Sequence, residues 1–132
     1  MTLSPLAKKL RLHTANRALI LNPPTGYLES IGEKPEELCL DTEILGTYDF
    51  THLFVKNSQD LMNVIDRVLA AIEHDSLLWI SYPKGSSGVE TDLNRDSLWE
   101  AMLPVGIRPV AQVSVDQVWS AVRFRPVEAV GK

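Results

Sequence analysis

Residues 48–82 read YDFTHLFVKNSQDLMNVIDRVLAAIEHDSLLWISY, and the fold is indicated most clearly here. It contains two apolar runs, from which we predict strands at Phe50–Val55 and Leu77–Ile80, both continuous enough to be buried on the two faces of a parallel sheet. Between them, apolar residues recur at intervals of three and four, which predicts an amphipathic helix capped by Asn57 or Ser58 and ending at His74-Asp75. A helix between two such strands is a βαβ crossover.

Upstream of this unit the chain predicts short elements. Ser4–Leu12 has helical spacing, with Ser4 as the N-cap. Arg17–Asn22 is a buried first strand, because its apolar run ends at a pair of prolines that cannot donate ladder hydrogen bonds. We expect one helical turn within Thr25–Gly32 and a short strand within Cys39–Ile44.

Downstream of it, Pro83–Val89 has the composition of a loop. Asp92 or Asn94 then caps a helix whose predicted buried residues are Leu98, Trp99 and Met102. The chain closes with two antiparallel strands, Ile107–Val115 and Val118–Arg125, joined by a tight turn.

These elements predict an α/β fold, a three-layer sandwich around a mostly parallel, Rossmann-like sheet of about five strands that ends in an antiparallel hairpin. The 132 residues suit a single domain spanning 1–132, since domains commonly hold about 100–200 residues. We expect residues 126–132 to form a frayed tail.

Composition excludes several functions. A net charge of −4 argues against nucleic-acid binding, and the basic residues Lys8, Lys9 and Arg11 are best explained as a solvated helix face. The single cysteine, Cys39, can form neither an intrachain disulfide nor a metal site, and no other ligand set suggests a metal. No segment reaches the roughly 20 apolar residues of a membrane span, so we expect a cytoplasmic protein.

Two stretches carry a resemblance to known proteins. Tyr48–Val55 and Ala70–Lys84 resemble the fourth strand, helix and fifth strand of Rossmann-like S-adenosylmethionine-dependent methyltransferases, and the closing strands resemble the hairpin that ends that fold. The resemblance implies a sheet order of first strand, Phe50 strand, Leu77 strand and final strand, with Ile107–Val115 at the edge.

A second resemblance covers the whole chain. Through Ser81–Lys84, Val89–Leu93 and Val115–Phe124, the chain resembles a group of small bacterial proteins classed as a domain of unknown function. This resemblance implies a fold but no particular reaction.

The methyltransferase pattern is interrupted at the residues that hold the cofactor. Those enzymes follow the first strand with an acidic residue and a Gly-x-Gly turn, whereas this chain has Asn22 and two prolines before a lone Gly26. An acidic residue at the end of the second strand would have to be Asp41 or Glu43. We therefore expect no bound cofactor of the usual kind.

Lys84 and Ser86 stand in a small-residue loop directly after a predicted parallel strand. Ligands of open α/β sheets bind beyond the carboxyl ends of the strands, so this loop is a candidate anion contact; its alternative explanation is a flexible turn with a solvated lysine. An atypical ligand site would combine these residues with Asn22, Gly26 and Arg123.

A second set of polar residues is predicted to have a structural role. Asp92, Arg95 and Asp96 surround the start of the last helix, where acidic residues favour the positive end of the helix dipole. Trp119 shares a strand face with Arg123, so that pair either stacks or binds a flat or anionic group. If Arg123 is buried, we expect Asp92 or Asp96 to pair with it.

The leading prediction is a non-catalytic domain that binds a partner or a small anionic ligand at the carboxyl ends of the strands. The alternative is an atypical S-adenosylmethionine- or nucleotide-binding enzyme with a methyltransferase-like fold. A homodimer formed through the Ile107–Val115 edge is a third possibility.

Overall fold

The computed structural model describes residues 4–32, 35, 37–40 and 47–130. Its strands are β1 (Arg17–Leu21), β2 (Glu37–Cys39), β3 (Tyr48–Phe54), β4 (Ile72–Pro83), β5 (Ile107–Ser114) and β6 (Trp119–Pro126). They form a six-stranded sheet in the order β2-β1-β3-β4-β6-β5. The four strands from β1 to β4 pair in parallel, and β6 lies antiparallel to both β4 and β5. The predicted fold class and the predicted order of five strands are confirmed.

The helices are α1 (Pro5–Leu10), α2 (Tyr27–Ser30), α3 (Ser58–Ala71) and α4 (Arg95–Met102). Side chains of α1 and α2 pack into one buried cluster with one face of the sheet, and those of α3 and α4 pack into a second cluster with the other face. The sheet is therefore the middle of three layers, with α1 and α2 on one side and α3 and α4 on the other.

Three helices begin at N-cap residues that the sequence predicts. The Asn57 side chain accepts a hydrogen bond from the backbone N–H of Asp60 at the start of α3. At α4, Asn94 and Ser97 form a reciprocal capping box, and Ser4 caps α1. Each cap satisfies backbone donors that the first helical turn leaves without partners.

The second strand differs from its prediction. We expected a strand within Cys39–Ile44, and the structure has β2 at Glu37–Cys39, paired with β1 through Arg17 and Glu37. Residues 41–46 lie outside the described part of the chain. A three-residue strand with one exposed and two half-buried residues carries no clear periodicity, so the sequence could not locate it accurately.

The junction of α3 and β4 also differs. The helix ends at Ala71 instead of His74-Asp75, and β4 begins at once with Ile72 opposite Tyr48. The register then shifts between Tyr48 and Phe50, and Asp75 adopts a left-handed backbone with a φ of 57°. Sheet pairing therefore overrides a helical pattern that continues past Ala71.

Two further expectations are corrected at the surface. Trp99 on α4 is 47% exposed, because it lies on the helix face opposite the buried Leu98 and Met102. The segment after Pro126 is ordered at its start: Val127–Ala129 form a short 3-10 turn in which the Val127 N–H donates to the Gly106 carbonyl. Residues 131–132 lie outside the described part of the chain.

Strand β5 forms the edge predicted for it. Its pairing with β6 is irregular between Pro109 and Ala111, and Pro109 lacks a backbone N–H to offer a further strand. Prolines and irregularities of this kind discourage edge-to-edge pairing. The homodimer through this edge stays a prediction. Pro109 and the irregular pairing disfavour it.

Candidate functional site

The site lies where the strand order reverses. After β1 the chain passes to β2 on one side and then returns to β3 on the other side of β1. Crossovers that leave in opposite directions open a crevice beyond the carboxyl ends of the two adjacent strands, which is where open α/β sheets bind ligands. A cleft of about 860 Å³ occupies this position. We call it the switch-point cleft; its lining is Asn22, Pro23, Pro24, Thr25, Phe54, Lys56, Asn57, Asp60, Asn63, Val64 and Trp119.

One wall of the cleft is the turn that follows β1. Asn22 adopts a left-handed backbone with a φ of 56°, a conformation that asparagine tolerates better than most residues. The two prolines follow, and the Pro24 carbonyl accepts the N–H of Tyr27 as α2 begins. Gly26 has a φ of 90°, and a side chain there would meet nothing within 4 Å, so the backbone angle alone requires glycine.

The opposite wall is the start of α3. Asn57 caps this helix, and the Asp60 carboxylate accepts the backbone N–H of Lys56 at 3.1 Å. The Lys56 side chain is exposed, so the wall carries one ammonium and one carboxylate beside amide groups. A ligand with both an ammonium and a carboxylate group suits such a wall.

Aromatic rings form the floor. Phe54 and Trp119 are buried, and their ring centroids lie 5.3 Å apart in an edge-to-face arrangement. Rings of this kind offer apolar surface to a flat ligand, while polar groups at the rim fix its orientation.

A buried polar chain lies behind this floor. The Tyr27 hydroxyl and the His52 Nδ1 atom are 2.7 Å apart, and His52 Nε2 is 2.6 Å from the Ser81 hydroxyl. His52 also stacks on Phe54 with centroids 4.2 Å apart. The chain thereby connects α2, directly after the cleft turn, to β3 and β4.

Burial keeps the side chains of this hydrogen-bonded chain uncharged. It lowers the pKa of His52 to about 3, so the imidazole is neutral at physiological pH. Burial also raises the pKa of the Tyr27 hydroxyl far above its ordinary value. In a neutral ring one nitrogen donates and the other accepts, and the two hydroxyls can complement either tautomer. The Tyr27–His52–Ser81 chain is thus satisfied without any charge, and His52 is a hydrogen-bonded core residue.

The candidate ligand residues are dispersed. Asn22 lines the switch-point cleft, and Gly26 lies just beyond its lining. The Lys84 ammonium donates to the Ser114 hydroxyl at 2.6 Å and to the Asp116 carbonyl at 2.5 Å. Ser86 is exposed in a short 3-10 turn after it. The structure therefore gives Lys84 a role in fixing the hairpin turn between β5 and β6.

The predicted partner of Arg123 is wrong. The Asp92 carboxylate accepts the Ser58 N–H and the Ser58 hydroxyl, which holds the pKa of Asp92 below its usual range. Asp96 lies 3.9 Å from Arg95, both at the surface. The charged groups that act on Arg123 are instead Arg11, Arg125 and Asp75. The sequence could not locate these partners, because they depend on how distant strands are aligned.

Several cleft residues were not identified from the sequence. The sequence leaves Trp119 open between stacking on Arg123 and binding a flat or anionic group, and it predicts Asn57 only as a cap. It gives no ligand-binding signal at Phe54, Lys56 or Asp60. The signal that could have found them was their position at the end of β3, since the strand on the far side of a switch point contributes as much lining as β1.

Two features are absent from the described residues, a metal-ligand cluster and a membrane-spanning helix. These residues contain no group of three or more potential metal ligands. Among them, no helix is both long enough and apolar enough to cross a bilayer.

The chain resembles known proteins in its three-dimensional structure. No family model matches the chain, and no curated protein matches it. The chain is similar in structure to the N-methyltransferase NodS from Bradyrhizobium japonicum WM9, with a TM-score of 0.64 at 12% identity over 90% of this chain and 91% of NodS.

Other methyltransferases give similar values. A putative type 11 methyltransferase from Sulfolobus solfataricus has a TM-score of 0.54 at 14% identity over 96% of this chain and 80% of its own. The ribosomal protein L11 methylase from Lactobacillus delbrueckii subsp. bulgaricus has a TM-score of 0.54 at 10% identity over 89% of this chain and 62% of its own. At these identities the likeness concerns the fold: the chain has the Rossmann-like fold of S-adenosylmethionine-dependent methyltransferases.

Proposed function

We propose that this protein binds S-adenosylmethionine or S-adenosylhomocysteine in the switch-point cleft, as a methyltransferase-fold protein with an atypical cofactor loop. The observation that carries the proposal is the position of the cleft between the ends of β1 and β3, at the point where the strand order reverses. Its volume, about 860 Å³, is in the range of small-molecule sites. A structure of NodS in complex with S-adenosyl-L-homocysteine, similar to this chain with a TM-score of 0.61, supports the choice of ligand.

The lining supports an adenosyl amino acid on chemical grounds. Phe54 and Trp119 supply aromatic surface for a base or a thioether, and the Asn22 and Asn57 amides can bind hydroxyl or amino groups. Lys56 provides a positive charge for the ligand carboxylate. Each part of such a ligand therefore has a complementary group.

The turn after β1 makes the binding mode unusual. Glycines at this turn normally let the ligand approach the backbone, whereas Pro23 and Pro24 are half-buried and remove two backbone donors. We expect contacts from side chains to replace those from the backbone, with Asn22 in the position of the usual acidic residue. An amide in place of a carboxylate implies weaker binding than in a typical methyltransferase.

Calorimetric titration tests this proposal with S-adenosylmethionine, S-adenosylhomocysteine, adenosine and ATP as separate ligands. We expect heat with the first two, and about tenfold weaker binding in Asn22→Gly, which removes one ligand contact. Glycine is the appropriate replacement because residue 22 has a φ of 56°. Ser86→Ala, in an exposed loop outside the lining, is the matched control. Absence of heat with both adenosyl ligands for the folded wild-type protein would reject the proposal.

A second candidate is binding without catalysis, which is the leading prediction from the sequence. It is favoured by the Asp60 carboxylate, which already accepts the Lys56 N–H and is less available as a base. Chromatographic measurement of S-adenosylmethionine consumption with small amine and hydroxyl acceptors separates the two candidates. Turnover above that of the Asn22→Gly variant supports an enzyme, and tight binding without turnover supports the non-catalytic function.

A further inference from the structure

A second site of different chemistry lies away from the switch-point cleft, on the α1 side of the sheet. Arg123 is in the middle of β6, opposite Trp79 of β4 in the antiparallel register. Its Nε atom is buried and has no hydrogen-bond partner among the described residues. A buried donor on a cation without an acceptor is costly, and a bound anion would supply the acceptor that this atom lacks.

The end of α1 brings a second arginine to this part of the sheet. The Trp79 indole N–H donates to the Leu10 carbonyl at 2.9 Å and so ties the end of α1 above this part of the sheet. Arg11, the next residue, is the C-cap of α1, with a φ of 62° and an exposed side chain. Burial first, and the positive charge of Arg11 second, lower the pKa of Arg123 from its ordinary value.

The neighbouring carboxylate is already engaged. Asp75 receives two hydrogen bonds from Arg125, at 2.9 and 2.7 Å, in a bidentate pair. Among the described residues whose charges act on Arg123, this pair is internally compensated and Arg11 adds a further positive charge. Among the described residues, no ion pair joins Arg11 or Arg123 to a carboxylate, although the net charge of the protein is −4. This local excess is the reverse of what the overall composition would favour.

We propose that Arg11 and Arg123 bind a phosphate dianion, either free or as the monoester of a small phosphorylated ligand. Two guanidinium groups balance the charge of such a dianion and present planar sets of N–H donors that match phosphate oxygens. The Nε–H of Arg123 finds its acceptor in the bound phosphate. We call these residues the arginine pair.

The arginine pair is independent of the cofactor proposal. Trp119, the only β6 residue in the cleft lining, precedes Arg123 by four positions, about 13 Å along a strand. Binding at one site and binding at the other can therefore succeed or fail separately.

The test follows the side-chain Nε–H resonance of Arg123 by NMR while inorganic phosphate, glycerol phosphate or chloride is added at constant ionic strength. We expect a saturable shift with at least one phosphate compound and none with chloride. Inorganic phosphate acting alone identifies free phosphate as the source of the anion, and a stronger response to glycerol phosphate identifies a monoester.

Variants separate the arginine pair from general electrostatics. Arg11→Gly removes the charge and retains the left-handed backbone, and we expect about tenfold weaker phosphate binding. Lys9→Ala removes one exposed charge from the same helix and is expected to change binding by less than about twofold. Arg123→Lys keeps the charge but loses the planar donors, and is expected to weaken binding as Arg11→Gly does.

Two results would overturn the proposal. One is a chloride titration that shifts the Arg123 resonance as much as phosphate does. The other is an equal loss of phosphate affinity in Lys9→Ala and Arg11→Gly, since both would then report only the net charge of the surface.

Discussion

The two faces of the sheet are stabilised in different ways. On the α3 side, the buried cluster consists of apolar side chains from a 14-residue helix, from α4 and from the strands. On the α1 side, two helices of 6 and 4 residues cover a face that is rich in aromatic rings and contains the Tyr27–His52–Ser81 chain. The α3 face relies on apolar area, whereas the α1 face relies on aromatic rings and on the hydrogen bonds of the Tyr27–His52–Ser81 chain.

The difference shows what short helices require. A four-residue helix buries too little apolar surface to fix its own position, so α2 is held by the Tyr27 hydroxyl and by the ring contact of Tyr27 with Phe54, whose centroids lie 4.7 Å apart. The same contacts hold the wall of the cleft, since α2 follows the turn after β1. Polar specificity therefore lies on the face that supports the candidate site.

The largest expected effect is on the α3 face. Leu61→Ala removes a fully buried side chain from α3 and should lower the free energy of unfolding by about 2–5 kcal/mol. Denaturant unfolding followed by circular dichroism measures this loss. Met62→Ala on the exposed side of the same helix is the control. Equal losses in the two variants would contradict the assignment of α3 packing to apolar burial.

The α1 face should show a pH dependence of its own. The pKa of His52 is lowered to about 3, so the unfolded chain binds a proton near pH 6.5 that the native protein does not bind. The free energy of unfolding should then fall as the pH drops from 6.5 towards 3, by about 1.4 kcal/mol per pH unit within that window. Denaturant unfolding between pH 6.5 and 4.5 measures the slope.

The source of this slope can be isolated. His52→Gln should remove it, and the pKa values of Asp75 and Asp92, which are lowered by hydrogen bonds from Arg125 and Ser58, should contribute mainly below this window. An unchanged slope in His52→Gln would mean that other groups cause it.

Removing one hydroxyl from the polar chain should have an intermediate effect. Tyr27→Phe leaves a nitrogen of His52 without its partner and should cost about 1–3 kcal/mol. A double-mutant cycle with Ser81→Ala tests whether the two hydroxyls act through the same ring. Strict additivity would indicate that they do not, because residues in one network are expected to couple.

The smallest effect should have the opposite sign. Thr51 alternates with His52 along β3 and so belongs to the α3 face, where its buried hydroxyl has no hydrogen-bond partner among the described residues. Thr51→Val replaces that hydroxyl with a methyl group of similar size and should stabilise the protein by about 1 kcal/mol. A raised midpoint of thermal unfolding supports this expectation. A lowered midpoint would show that the Thr51 hydroxyl stabilises the α3 face.

Most of the fold could be predicted from local sequence. Continuous apolar runs located β1, β3 and β4, and the three-and-four spacing located α3 with its Asn57 cap. These features are local, since each depends on burial of neighbouring residues in one element. The strand order came from the methyltransferase resemblance and is confirmed.

The site was predicted only in part. Asn22 lies in the cleft, but Lys84 contacts Ser114, which is 30 residues away, and the carboxylate that acts on Arg123 is Asp75 and not Asp92. Such contacts are determined by strand register and by which face each side chain takes. Periodicity locates the strands but contains no information about the partners of a given cation.

One consequence of the strand order concerns biosynthesis. Strand β6 lies between β4 and β5, yet it is the last of the six strands to leave the ribosome. Until β6 is synthesised, β4 is an exposed and largely apolar edge strand of the nascent protein. The sheet is therefore completed only after synthesis of this strand, and the earlier strands pass through a stage in which an incomplete sheet is open to aggregation.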